Sequence, residues 1–163
     1  MQEPYIYNNS TAGQPRNCKV NVGGQKNKPR TAIYSDKRMH VWFIDSLSHK
    51  DATVIVTKIN NRTTLIASIY LDITLDVIQP WLENIMTYTY DKGYACLLAI
   101  DSNCHTQLIG TETNKRGEKL EDFISTHKLQ IENQGKTPTF QTSRGKSSID
   151  ITLTSKLSVG IQE

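Results

Sequence analysis

The tightest constraint on this chain is an apolar run that stops at an acid. Residues 94–100 (Tyr94-Ala95-Cys96-Leu97-Leu98-Ala99-Ile100) are followed at once by Asp101-Ser102-Asn103-Cys104-His105. A run of this length without a charge reads as a buried strand of the kind found in sheets covered by helices. An unpaired buried carboxylate costs several kcal/mol, so Asp101 is expected where the strand leaves the core. In sheets with helices on their faces, ligands bind at that strand end. Asp101, Asn103 and His105 then offer an acceptor, an amide and an imidazole within one loop.

The remaining elements follow in order. Residues 8–30 are rich in Asn, Gly, Gln, Lys and Pro and read as a long loop, made basic by Arg16, Lys19, Lys26, Lys28 and Arg30. Such a loop is either a solvated surface or a basic flap beside a phosphate backbone. Short strands are expected over residues 31–34 and 40–44. Two longer β-branched runs, over 52–59 and 63–71, flank Asn60-Asn61-Arg62 and signal a hairpin. Residues 76–90 carry Val77, Ile78, Trp81, Leu82, Ile85 and Met86 at helical spacing. Asp76 is a possible cap with Gln79 three residues on, although Pro80 fits best in a first turn and moves the start later. Asn114 is expected to cap a second helix running to about residue 128, with Leu120, Phe123, Ile124 and His127 on its inner face. Residues 129–131 form a short strand, 135–146 a polar loop around Pro138-Thr139-Phe140, and 148–153 a last strand. In that last strand Ile149, Ile151 and Leu153 face one side, Asp150 and Thr152 the other.

The 163 residues suffice for one domain, and 37% hydrophobic with 21% charged residues is a globular composition. A net charge of +3 leans only weakly towards polyanions. Three cysteines without C-x-x-C spacing signal neither a disulfide framework nor a zinc site, which makes a reducing, intracellular setting the simplest reading. No stretch reaches the roughly 20 apolar residues that span a membrane, and the N-terminus lacks the layout of a signal peptide. Strands that alternate with only two helices, with more hairpins than crossovers, favour an α/β sandwich with mixed sheets.

Three stretches then line up in order: Gln2-Glu3-Pro4-Tyr5, the Asp101–His105 loop, and Ser147-Ser148-Ile149-Asp150-Ile151-Thr152-Leu153. Together they resemble the endonuclease/exonuclease/phosphatase superfamily, in particular the apurinic-type endonuclease domain of non-LTR retrotransposons. Arg116-Gly117 with Leu120 and Phe123-Ile124, and Pro138-Thr139-Phe140, also resemble the spacing of that branch. The resemblance implies a DNase I-like α/β sandwich of two mixed β-sheets flanked by helices, and Mg2+-dependent hydrolysis of DNA phosphodiesters (Mn2+ as a substitute). It implies metal binding by Glu3 and activation of the attacking water by Asp101. Asn103 would contact the phosphate and hold this geometry, Tyr70 would contact the phosphate, and Asp150 would orient a terminal histidine. The implied partners are DNA and a reverse-transcriptase domain of the same polyprotein, with action in the nucleus and no membrane.

Against the family pattern, residues 1–163 are expected to form a single partial domain, truncated at both ends. A first strand and helix would precede Gln2-Glu3, and a Ser-Asp-His segment would follow Glu163. His105 matches a loop histidine rather than that terminal one. Ile100 stands where the superfamily usually has Gly, and Asp72 where relatives often carry Pro or Asn. Taken singly, each residue also has a plainer reading: Glu3 as a surface acid, Asp101 as a strand cap, Asn103 as a turn residue, Asp150 as a solvent-facing acid, Tyr70 as a packing aromatic. The alternatives to a nicking enzyme are an inactive remnant with weak nucleic-acid binding, and a phosphomonoesterase or phosphoinositide phosphatase on the same fold.

Overall fold

The structure is a computed structural model that describes residues 6–7, 10–11, 15–24, 28–110, 112–133, 140–142 and 145–155. Glu3, Pro138 and Thr139 lie outside the described residues. The described elements are β1 (Ile6–Tyr7), β2 (Ser10–Thr11), β3 (Cys18–Asn21), β4 (Ile33–Asp36), β5 (Val41–Phe43), β6 (Ala52–Ile59), β7 (Arg62–Tyr70), α1 (Pro80–Asp91), β8 (Ala95–Asp101), α2 (Lys115–Thr126), β9 (Leu129–Ile131), β10 (Phe140–Thr142), β11 (Gly145–Ser147) and β12 (Asp150–Ser155). The main sheet has six strands in the order β5-β6-β7-β8-β12-β9, and only β7 and β8 run parallel. Three antiparallel pairs, β1-β2, β3-β4 and β10-β11, accompany it. The architecture is the mixed α/β one expected.

Local chemistry accounts for most of the element boundaries. Asn60 and Asn61 take φ of 48° and 64°, the left-handed pair that a two-residue hairpin turn demands, and Asn tolerates that region better than other non-glycine residues. The β6–β7 hairpin therefore forms where expected. Helix α1 begins at Pro80, whose fixed φ suits a first turn and whose missing N–H is no loss there. Asp76 does not cap it: its carboxylate accepts from the Val77 N–H at 2.7 Å and pairs with Lys119. Gly93, at φ 62°, turns the chain from α1 into β8. Asn114 does cap α2, accepting the Gly117 N–H at 2.8 Å.

Two expected loops contain strands. Residues 8–30 include β3, which pairs with β4, and residues 135–146 include the β10–β11 pair. Their hydrogen bonds go to partners far along the chain or lie among polar residues with no apolar alternation, so periodicity does not reveal them.

Both helices pack on one face of the main sheet. Leu82, Ile85 and Met86 of α1 and Leu120, Phe123 and Ile124 of α2 join Val54, Leu65, Ala67, Ile69, Leu98, Ile100, Ile151 and Leu153 in one core. Each of these side chains larger than alanine contributes about 1.5–3 kcal/mol of burial. The other face of β6 and β7 is lined by the buried Thr53, Thr57, Thr64 and Ser68. There the β3–β4 pair is tied on: the Gly23 N–H donates to the Thr53 hydroxyl at 3.1 Å, and the Thr31 and Thr53 hydroxyls lie 2.9 Å apart. A side chain at Gly23 would run into the backbone carbonyls of His49 and Ala52.

Candidate active site

Tyr70 and Asp101 are register partners across β7–β8, and Asp101 and Asp150 are partners across β8–β12. Register partners project from the same face of a sheet. A phenol and two carboxylates thus stand in one row across three neighbouring strands, all half-buried. The row crosses the carboxyl ends of the parallel pair, the position at which sheets of this kind bind ligands.

The loop after β8 is fastened to both neighbours of Asp101. The Ser102 N–H and hydroxyl donate to the Ile149 carbonyl at 2.8 and 2.6 Å, beside Asp150. On the other side the Leu71 N–H donates to the Asp101 carbonyl at 2.9 Å, and the Asn103 amide donates to the Leu71 carbonyl at 3.1 Å. Asn103 holds a left-handed φ of 46°, a conformation short polar side chains sustain by bonding nearby backbone. Tyr70, Asp101, Asn103 and Asp150 are therefore brought together. His105 is exposed, and its backbone carbonyl accepts from the Asn114 N–H at 3.1 Å, a loop position outside the row. His127 lies at the far end of α2, bonded to Glu83 and stacked near Tyr90.

Sequence reasoning missed Arg30 as part of this site, placing it only in the basic loop. Its guanidinium sits 4.2 Å from the Tyr70 ring centroid, with Nε on Asp51 at 2.6 Å and Nη1 on Asp72 at 2.8 Å. The cation over the ring face, itself held by two carboxylates, packs against Tyr70. The partners are 21 and 42 residues from Arg30, and no local pattern links them. Asp72, the departure from the family pattern, is thus a partner of this arginine.

These pairs have a pH signature. The Thr74 backbone N–H and hydroxyl, then Arg30, hold the Asp72 carboxyl well below the usual carboxylate range. Burial alone would raise Asp51, but hydrogen bonds from Arg30 and Lys50 outweigh it and lower the group. A carboxyl with a depressed folded pKa adds stability that is complete above its unfolded value, near 3.8, and drains away below it. The melting temperature is expected to hold from neutral pH to about pH 5 and fall steadily below about pH 4. In thermal melts Asp72→Asn should flatten that decline; an equal decline in the variant would show that Asp72 is not its source.

Among the described residues, no group of three or more His, Cys, Asp or Glu is arranged to hold a metal ion. The donor types nevertheless suit one class of metal. Two carboxylates in register beside an amide are hard oxygen donors, few in number, which is how Mg2+ is held when substrate phosphate and water complete its shell.

A family model described as "Endonuclease-reverse transcriptase" matches residues 64–160, a span that includes Tyr70, Asp101, Asn103 and Asp150. Among solved structures, the endonuclease domain of TRAS1, a telomere-specific non-LTR retrotransposon, aligns with a TM-score of 0.77 at 23% identity, covering 95% of this chain and 71% of that one. The human Nocturnin catalytic domain, solved with a bound sulfate anion, aligns at TM-score 0.53 and 14% identity, covering 86% of this chain and 61% of that one. At these identities the likeness is one of fold. No curated protein matches the chain in sequence.

Proposed function

The chain belongs to the endonuclease–reverse transcriptase family, and on that premise we propose that it is the core of a Mg2+-dependent endonuclease that nicks DNA. The observation that carries this reading is the row of Tyr70, Asp101 and Asp150 in register, closed by Asn103. Hydrolysis of a phosphodiester needs a positioned water, a base for its proton and donors around the charge that develops on phosphorus. Asp101 serves as the base: its carboxylate takes a proton as the water oxygen bonds to phosphorus and the bond to the leaving sugar oxygen breaks. The Asn103 amide and Tyr70 hydroxyl hold the phosphate oxygens, and Asp150 takes the part of the acid that orients a histidine. Glu3 would hold a Mg2+, which when bound would neutralise charge on the phosphate. Nicking of chromosomal DNA ahead of a reverse-transcriptase domain of the same polyprotein is the setting this proposal implies.

The test is a supercoiled plasmid incubated with the complete gene product, with Mg2+ or Mn2+ and with chelator. Relaxed circles that appear only with the metal are the expected result, with binding that weakens steeply as salt rises. Salt-sensitive binding without cleavage would replace the enzyme with a DNA-binding remnant. Phosphate release from monoesters with intact plasmid would move the substrate class.

A further inference from the structure

The first turn of α2 lies between the two loops that deliver the site. One loop, residues 71–75, continues β7 beyond Tyr70. The other, residues 102–105, continues β8 beyond Asp101. Arg116, in the first turn, donates from Nη1 to the Leu75 carbonyl at 2.5 Å and the Ile73 carbonyl at 3.4 Å, and from Nη2 to the Asp72 carbonyl at 3.2 Å. One planar fork therefore gathers three carbonyls of the first loop, a geometry an ammonium cannot reproduce. Burial pushes the Cys104 thiol of the second loop up, and the charge of the same guanidinium acts against that rise.

Gly117 completes the contact. It approaches the His105 carbonyl so closely that any side chain would overlap that oxygen. The same carbonyl accepts the Asn114 N–H at 3.1 Å, and Asn114 in turn caps the Gly117 N–H. Between the two clamped loops runs the bond that matters to the site, from the Asn103 amide to the Leu71 carbonyl at 3.1 Å. Neither Arg116 nor Gly117 belongs to the row of Tyr70, Asp101 and Asp150.

We propose that Arg116 is a positioning residue: its guanidinium, seated by Gly117, locks the 71–75 loop against the 102–105 loop and so sets where Asn103 stands relative to Tyr70 and Asp101. The effect follows from the steepness of orientation in catalysis, where a shift of about 1 Å in a reacting group costs up to roughly a hundredfold. The inference rests on the endonuclease reading for its catalytic consequence, while the clamp itself is a property of the fold.

Two variants test it. Arg116→Lys keeps the charge and loses the fork; Arg116→Ala opens a space that free guanidinium can enter. With supercoiled plasmid as substrate, Arg116→Lys is expected to lower kcat roughly ten- to a hundredfold with KM for DNA little changed. Millimolar guanidinium should recover part of the kcat lost in Arg116→Ala. Hydrogen exchange should quicken at the Leu71 and Leu75 amides, which donate to Asp101 and Asp72 carbonyls. An unchanged kcat in Arg116→Lys overturns the proposal, as does a kcat that falls only in step with melting temperature and ignores guanidinium. If the unmodified protein does not nick DNA, the endonuclease reading is what fails. The clamp is then judged by exchange alone, and unaltered protection in Arg116→Lys overturns it.

Discussion

Replacing Asp101 with asparagine is expected to slow metal-dependent nicking by roughly two to four orders of magnitude, the usual worth of a positioned general base. The substitution preserves size and leaves the backbone bonds of β8 untouched, including the Leu71 N–H to the residue 101 carbonyl. It removes the capacity to take a proton and, with it, the negative charge. Asp101 and Asp150 are direct cross-strand neighbours, and like charges so placed disfavour the sheet. The melting temperature should accordingly stay level or rise slightly as the rate collapses. Single-turnover nicking and a thermal melt on the same preparation decide the matter. An undiminished rate removes Asp101 from the base role. A rate that drops together with the melting temperature makes it a structural acid at a strand end.

Gly117→Ala is the second large effect, and its sign runs against helix propensity. An exposed helical glycine gains about 1 kcal/mol on becoming alanine. Here the new methyl would meet the backbone carbonyl of His105, which no rotamer can move aside. Relief requires α2 to shift from the 102–105 loop, straining the Asn114 N–H bond to His105 and the reach of Arg116 to residues 72–75. Overpacking of this kind costs roughly 1–3 kcal/mol and more when backbone is the obstacle. A net loss near 2 kcal/mol lowers the melting temperature by about 4–8 °C in a domain of this size. Glu118→Ala, one residue on and exposed, is the control and should stay within about 0.5 kcal/mol. A higher melting temperature for Gly117→Ala would mean that α2 is not held by this close approach.

Elements whose cause is local are legible in the sequence. The buried strand ending at Asp101, the Asn60-Asn61 turn and the Asn114 cap each follow from a few adjacent residues, and each stands where expected. The start of α1 was legible through Pro80 and misread through Asp76, because a carboxylate beside a helix has other partners: here Val77 and, from α2, Lys119. The strands inside residues 8–30 and 135–146 were hidden, since polar, glycine-rich segments become strands only when a partner supplies the hydrogen bonds. Glu3, named from resemblance, lies outside the described residues and stays a proposal.

For the site, the sequence by itself determined the residue types: an acid at the end of an apolar run, an amide two residues on, and an acid on a strand whose other face is apolar. Periodicity and the cost of burying charge suffice for that. Tertiary structure alone decided that Tyr70, Asp101 and Asp150 share one row, because register is a relation between strands and a one-residue slip would send a side chain to the opposite face. It alone brought Arg30 over Tyr70 and Arg116 onto the 71–75 loop, contacts spanning some forty residues. Separation of that order leaves no periodic trace in a chain, since such contacts exist only after the sheet and helices have packed.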